Sequence, residues 1–308
     1  MKLERNLSDS PLAALLMYRA LRNPTLIGQS LYWSIRSELY DGSVYSHLSL
    51  YLRQYMDHCG AHRQELAHQE RLMGQLRNMI RHIKSERVRR KAAGEDYSIH
   101  VLKEVLHADL AEIEFPPEGI RMPVNPNLRC KAPKIESCKV MGSHQVPLWL
   151  VFENYDPTAE PVYIIFKDGD DVRQDTLVLQ LFNIMQDTWE EDGLDIPLRP
   201  GTTGAYGCVS VGFEVGVVEV VTHCSTLAGI VKEAELGALG VFNQDVYKDW
   251  LEKHNETDEK WAAAVDRFTR SCAVRWQLSI SLTFFSSLPR PSVRNVRVSS
   301  ATCCSISG

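Results

Sequence analysis

The residues best suited to chemistry lie between Ile164 and Asp175, in the stretch IIFKDGDDVRQD. Lys167 ends a strand-like apolar run, an acidic turn containing Gly169 follows, and Asp175 falls in the first turn of a predicted helix. A lysine in this position can contact a nucleotide phosphate while a nearby carboxylate holds its ammonium group. The same spacing also suits a plain strand-turn-helix junction whose aspartates stabilise the helix N-terminus. The spacing alone leaves both interpretations open.

Two other clusters of reactive side chains are interpreted as structural. His58, Cys59 and His62 include a pair spaced i, i+4 on a helix, as metal ligands can be, but no second cluster lies nearby in the sequence. We therefore predict that they contribute to packing. The basic run from Lys84 to Lys91 could bind phosphate, but a solvated helix end is the preferred interpretation.

The elements that must position these residues follow from hydrophobic periodicity. Residues 11–110 carry apolar side chains three and four apart, with breaks at Asn23-Pro24 and at Asp41-Gly42-Ser43, which predicts helical hairpins. Short runs rich in Val, Ile and aromatic residues predict a small antiparallel sheet interrupted by one helix near 171–191. The predicted strands are 138–141, 148–153, 162–167, 208–211 and 215–221, and further helices are predicted at 245–251 and 261–273.

These elements predict an α+β fold with four segments. Residues 1–110 form an all-helical accessory segment, and residues 111–133, which hold five prolines between 114 and 133, form a linker. Residues 134–273 form the sheet-containing domain. The tail 274–308 has no regular periodicity, so we predict that it is disordered and unrelated to what precedes it.

Composition excludes several classes of protein. The chain has 308 residues, is 44% hydrophobic and carries a net charge of −5, which argues against disorder and against nucleic acid binding. It has no apolar run of membrane-spanning length, and its charged N-terminus does not resemble a signal peptide. The eight scattered cysteines are typical of reduced thiols. We therefore expect a cytoplasmic protein without a transmembrane segment.

The motif around Lys167 resembles the nucleotide-lysine motif of phosphoinositide 3-kinases, and four more segments resemble the same family in the same order. ALRNPTLIGQSLYWSIRSE (20–38) resembles the end of the helical accessory domain, and SCKVMGSHQVPLWLVFEN (137–154) the phosphate-loop hairpin. YGCVSVGFEVGVVEVV (206–221) resembles the sheet that leads to the hinge, and FTRSCA (268–273) the helix before the catalytic loop. The forms of these motifs favour the class I catalytic subunit over the class III enzyme, and class II is the closer alternative. A protein kinase is disfavoured, because no glycine-rich GxGxxG motif precedes the lysine.

The resemblance implies a lipid-kinase small lobe, followed by the first helices of a large lobe, and it implies site residues. Lys167 would contact an ATP phosphate, with Asp170 and Asp175 beside it, and Tyr206 would lie deep in the pocket, hydrogen-bonded toward Asp175. Backbone groups of the hinge residues Glu219 and Val221 would face adenine. Ser143 would line the phosphate loop, and Trp149 would line the pocket entrance.

The resemblance also implies partners for the parent enzyme. These are ATP with Mg²⁺, a membrane phosphoinositide as the substrate phosphorylated on its inositol 3-hydroxyl, a regulatory adaptor subunit, and recruitment to the membrane periphery.

Three departures from the family pattern affect the expected activity. The phosphate loop has His144, Gln145 and Val146 where the family usually supplies a lysine or arginine, and residues 196–205 form a longer connection than usual. No Asp, Glu or His follows Asp266, so no catalytic Asp-His pair or metal-binding Asp can follow FTRSCA. We therefore expect a sequence truncated before the catalytic loop and inactive by itself. The alternative is a non-catalytic interaction protein, or a competing isoform, that acts through the helical segment.

Overall fold

The computed structural model describes residues 10–194, 206–222, 224–234 and 244–270. The chain divides into two compact units, Met1–Leu177 with Gly207–Val220, and Val178–Tyr206 with Val221–Gly308. The predicted insertion at 196–205 and the predicted tail at 274–308 lie outside the described residues.

The first unit begins with five α-helices, as the periodicity predicts. They are α1 (Pro11–Arg22), α2 (Gln29–Glu38), α3 (Tyr45–His58), α4 (His62–Ala93) and α5 (Ile99–Ala111). Ser10 caps α1 by accepting a hydrogen bond from the Ala13 amide, and Gly94 ends α4 with a left-handed backbone (φ 71°). A single π-helical turn, Pro24–Gly28, joins α1 to α2.

A chain of buried amides links the helices to the sheet. The indole Nε1 of Trp33 donates to Gln69 Oε1 (2.8 Å), and Gln69 Nε2 donates to Gln29 Oε1 (2.7 Å). Gln29 Nε2 in turn donates to the carbonyl of Met122 (2.9 Å), which lies in the first strand. Each side chain in this amide chain is buried, so each internal hydrogen bond replaces the hydrogen bond to water that the group loses on folding.

The histidine and cysteine cluster of the second hairpin is structural, as predicted. Tyr55 Oη and His62 Nδ1 lie 2.9 Å apart in the core, and His58 Nδ1 lies 2.8 Å from the Gln54 carbonyl. Burial is the main cause that lowers the pKa of His62 and raises that of the Cys59 thiol. Tyr55, Cys59 and His62 fill a core position between α3 and α4, whereas His58 is exposed.

In the part of the chain that the structure describes, seven antiparallel strands follow these five helices. They are β1 (Ile120–Met122), β2 (Asn125–Pro133), β3 (Lys139–Val140), β4 (Leu148–Asn154), β5 (Val162–Asp168), β6 (Cys208–Gly212) and β7 (Val215–Glu219). The strand order is β1-β2-β4-β5-β7-β6, and β3 pairs with the first two residues of β4. Helix α6 (Arg173–Glu191) follows β5. The predicted α+β class, the five predicted strands and the interrupting helix are confirmed.

The segment 111–133 differs from its prediction as a linker. Most of it forms β1 and β2, which pair with each other and extend the sheet beside β4. Pro126 and Pro133 are tolerated because β2 pairs irregularly, with register shifts at Arg121/Met122 in its pairing with β1 and at Cys130/Pro133 in its pairing with β4. The five prolines indicated a loop, which holds for Pro116, Pro117 and Pro123, whereas the other two belong to an irregular strand next to β4.

The two faces of the sheet have different environments. Along β5, Val162, Ile164 and Phe166 are buried and join the same core as the buried residues of α4 and α5. Because side chains alternate along a strand, Ile165 and Lys167 point to the other face, where they are only half-buried. The helical segment therefore covers one face and leaves Lys167 on the opposite face.

The second unit contains helices with a small core of their own. Helix α7 (Leu227–Glu233), helix α8 (Gln244–His254) and a helix at 258–270 contribute to it, with Ile230, Val246, Trp250 and Leu251 buried. The predicted helices at 245–251 and 261–273 are confirmed as far as residue 270. Among the described residues, no helix is long and apolar enough to span a membrane.

Candidate functional site

The face of the sheet that carries Lys167 is organised in rows across the strands. Trp149 on β4 pairs with Ile165 on β5, Ile165 pairs with Val218 on β7, and Val218 pairs with Cys208 on β6. Directly paired residues share a face, so these side chains form one row beside that of Lys167 and its partner, Gly216. The register brings Trp149 and Lys167, predicted from separate motifs, to the same face.

Lys167 forms the centre of a polar group at the end of β5. Its Nζ lies 3.4 Å from Asp170 Oδ2, and its side chain is 23% exposed, so the ammonium is partly shielded yet reachable. Burial raises the pKa of Asp175, and the nearby Asp170 and Asp171 carboxylates raise it further, while the Lys167 ammonium lowers it. The structure thus brings Lys167, Asp170 and Asp175 together, as predicted.

The neighbouring aspartate, Asp171, has a structural role. Its carboxylate accepts hydrogen bonds from the backbone amide of Arg173 (3.1 Å) and from the Arg173 guanidinium at Nε (2.9 Å) and Nη2 (2.7 Å). These bonds lower the pKa of Asp171 and stabilise the start of α6. The helix-start interpretation of the motif therefore applies to Asp171, and the nucleotide-contact interpretation of Lys167 stays a prediction.

A thiol that the sequence analysis did not select adjoins the same group. Thr176 donates its hydroxyl to the Cys208 carbonyl at 3.1 Å, which joins α6 to β6. Burial is the main cause that raises the pKa of Cys208 to about 11, and the Asp175 carboxylate acts in the same direction. Cys208 is therefore protonated at neutral pH and contributes bulk rather than charge.

The turn between β3 and β4 carries the predicted phosphate-loop residue Ser143. Ser143 is exposed, and its carbonyl accepts a hydrogen bond from the Val146 amide at 3.2 Å. Val146 has φ 56°, a left-handed conformation that a β-branched side chain rarely adopts, yet the side chain is only 2% exposed. Burial of this side chain fixes the turn in a conformation that the backbone alone disfavours.

Trp149 is half-buried on β4. The Lys139 ammonium lies 4.7 Å from its ring centroid, and the Tyr163 ring packs edge-on at 6.5 Å. The indole is thus held between β3 and β5 on the Lys167 face.

The predicted hinge residues differ in placement. Glu219 ends β7 and pairs with Ile164, so its side chain points away from the Lys167 face, and its Oε2 accepts the Gly207 amide. Its own amide donates to the Gly207 carbonyl (2.8 Å), and the hinge role of Glu219 stays a prediction. Tyr206 and Val221 are half-buried at the chain positions just outside β6 and β7, in the second unit. The hydrogen bond from Tyr206 toward Asp175 stays a prediction.

Gly216, opposite Lys167, is required by close packing. A Cβ atom at this position would lie 2.3 Å from Cγ2 of Val172, which is 1% exposed and precedes α6. We expect Gly216→Ala to lower the free energy of unfolding by about 1–3 kcal/mol through overpacking. Gly212→Ala is the matched control in the same hairpin, because its Cβ would meet nothing closer than 3.9 Å. Urea unfolding measures both, and equal losses would contradict this packing argument.

No cluster of three or more His, Cys, Asp or Glu side chains in the described part of the chain is arranged to hold a metal ion. Asp170 pairs with the Lys167 ammonium, and Asp175 interacts electrostatically with it. The described residues therefore contain no preformed cluster of protein ligands of this kind for Mg²⁺.

Two known families match the chain in the order in which the two folded segments occur. Residues 2–68 match the accessory (PIK) domain of the phosphoinositide 3-kinase family, and residues 161–283 match the family described as phosphatidylinositol 3- and 4-kinase. The chain belongs to the phosphoinositide 3-kinase family. The second match ends ten residues into the segment that we predicted to be unrelated.

Individual relatives match nearly the whole chain. Phosphatidylinositol 3-kinases 2 and 1 of Dictyostelium discoideum are each 35% identical over 265 residues, which is 86% of this chain. Phosphatidylinositol 3-kinase 3 of the same organism is 30% identical over 266 residues. The chain spans only 13% to 16% of the length of these phosphoinositide 3-kinases.

Proposed function

We propose that the Lys167 face of the sheet binds ATP and that the parent enzyme is a phosphatidylinositol 3-kinase. The observation that carries the proposal is the half-shielded Lys167 ammonium, which lies 3.4 Å from Asp170 and lowers the pKa of the nearby Asp175, on the face opposite the helical segment. The family membership of both folded segments supports it. A solvated lysine at the end of a strand would not require two carboxylates around it.

The resemblance to the family assigns a role to each candidate residue. Lys167 would donate a hydrogen bond to a phosphate oxygen. Asp170 would restrict the Lys167 side chain, and the Asp175 carboxylate would partly offset the charge of the Lys167 ammonium. Ser143, on its exposed turn, would line the phosphates, and Trp149 would flank the pocket. At the adenine edge the Glu219 carbonyl would accept and the Val221 amide would donate, with Tyr206 deeper in the pocket.

The reaction that we propose for the parent enzyme is transfer of the ATP γ-phosphate to the inositol 3-hydroxyl of a membrane phosphoinositide. The class I catalytic subunit is the form that the motifs favour, with a regulatory adaptor subunit and recruitment to the membrane surface. When bound, Mg²⁺ would neutralise charge on the phosphates.

We further propose that the 308-residue chain does not turn over by itself. No Asp, Glu or His follows Asp266, so a general base and metal-binding carboxylates of the expected kind are missing after the FTRSCA segment. A positioned acid or base contributes about 10²- to 10⁴-fold to a rate, and loss of the metal ligands adds to that deficit. Lipid phosphorylation by this chain should therefore fall below detection.

Calorimetric titration of the full chain with ATP and with adenosine tests the binding proposal. We expect saturable binding of ATP that is tighter than that of adenosine, because the Lys167 group recognises phosphate. A parallel assay with ATP, Mg²⁺ and phosphatidylinositol vesicles should show no product. Absence of ATP binding would remove the binding proposal and favour the interaction-protein alternative, and clear turnover would overturn the inactivity proposal.

A further inference from the structure

Three cations on helix α4 lie behind the turn that follows Lys167. Arg77, Arg81 and Lys84 are spaced i, i+4 and i+7, so they share one face of the helix. Arg77 Nε lies 3.4 Å from Asp168 Oδ1, and Arg81 Nε lies 3.7 Å from Asp168 Oδ2. The Asp168 side chain is 13% exposed, so this carboxylate is largely withdrawn from water. Asp168 directly follows Lys167 and points to the opposite face of the sheet.

Lys84 makes two contacts that the arginines do not. Its Nζ donates to the Asp168 carbonyl at 2.8 Å and to Gln145 Oε1 at 3.3 Å. Gln145 belongs to the β3–β4 turn that carries Ser143, and its Oε1 would lie 2.6 Å from a Cβ atom at Gly169. Gly169 has φ 109°, which only glycine adopts readily. One ammonium therefore holds both turns that flank Lys167.

We infer that Lys84 is a positioning residue for the phosphate-facing turns, so that the helical segment sets the affinity for the phosphates of the nucleotide. This rests on the proposed ATP site. The β3–β4 turn has no lysine or arginine between Met141 and Pro147 and contains the strained Val146. A turn of this kind needs an external contact to stay in place, and Lys84 supplies it through Gln145.

The junction is also held at its other end by the helical segment. Glu38, at the end of α2, accepts a hydrogen bond from Arg173 Nη1 at 2.8 Å, and the Arg173 guanidinium lies 5.3 Å from the ring centroid of Tyr40. With α6 fixed in this way, a change at Lys84 should act on the two turns rather than on the start of α6.

The test compares Lys84→Met with wild type in the full chain, using ATP and adenosine as ligands. Methionine keeps an unbranched stem and removes the donor, so we expect ATP to bind about three- to tenfold more weakly while adenosine binding is unchanged. Lys91→Met, an exposed position on the same helix, is the control for loss of one positive charge. Gln145→Ala should reproduce the effect, and the double variant should be no weaker than either single one.

Hydrogen exchange measured by mass spectrometry provides a readout that needs no ligand. Lys84→Met should speed exchange in residues 141–147 and 168–170 and leave β6 and β7 unchanged. Unchanged exchange in both turns would overturn the inference, even if the wild-type chain binds no ATP and the proposed function itself fails. If wild type binds ATP, equal weakening of ATP and adenosine would also overturn it, because that pattern indicates general loss of structure.

Discussion

Replacing Lys167 with methionine is expected to weaken ATP binding by about 10- to 100-fold, the effect of losing a charge-assisted hydrogen bond to phosphate. The substitution also removes the cation that lies near Asp170 and Asp175. These carboxylates would then face the phosphates without a counter-charge, which adds repulsion to the lost contact. Without the ammonium, the pKa of Asp175 should rise further above its ordinary value, since Lys167 is the group that lowers it.

The matched control is Lys131→Met, which removes a lysine from an exposed position on strand β2. Calorimetric titration of wild type and both variants with ATP gives the affinities, and urea unfolding confirms that each variant is folded. An affinity for ATP that is the same in Lys167→Met and in Lys131→Met would contradict the assignment of Lys167. A loss confined to Lys167→Met would support it.

Gln69→Leu is expected to lower the free energy of unfolding by roughly 2–5 kcal/mol, because two buried partners lose their hydrogen bonds. The Trp33 indole would have no acceptor at Gln69, and Gln29 would lose its donor. Leucine is of similar size, so the cost arises from desolvated polar groups rather than from a cavity. Such a loss is a large share of the 5–15 kcal/mol that typically stabilises a domain.

Gln64→Leu, on the exposed side of the same helix, is the control for the loss of an amide. Its unfolding free energy should stay within about 0.5 kcal/mol of wild type. Urea unfolding followed by tryptophan fluorescence measures both variants. If Gln69→Leu unfolded at the same urea concentration as Gln64→Leu, the buried amide chain would not have the stabilising role argued for it.

The sequence predicted the sheet where the local pattern is strong. Strands β4 and β5 are dense in branched and aromatic residues, and the first turn of α6 follows an acidic turn with glycine, so both elements and the lysine between them were predictable. The resemblance to the family then assigned Lys167, Asp170 and Asp175 to one group, and the structure brings these three together. Strands β1 and β2 were missed because their prolines and register shift conceal the period of two.

The contacts behind the site could not be predicted from local pattern. The run from Lys84 to Lys91 was interpreted as a solvated helix end, and this is correct for Arg89, which pairs with Glu86 and Glu95 on the surface. It is wrong for Lys84, which reaches Gln145 and Asp168 in the sheet. Neighbouring residues of one charge have different partners because the helix turns 100° per residue, and only the packed structure shows which face meets the sheet.

The contacts between the helical segment and the residues on either side of Lys167 bear on the order of folding. Lys84 and Asp168 are 84 residues apart in the chain, and Glu38 and Arg173 are 135 apart. Closing such long loops costs entropy that is recovered only when the contacts form, whereas the helices need only local ones. The helices can therefore form early. The arrangement around Lys167 is completed late, after the β3–β4 turn and the turn that follows β5 have packed against the formed helix α4.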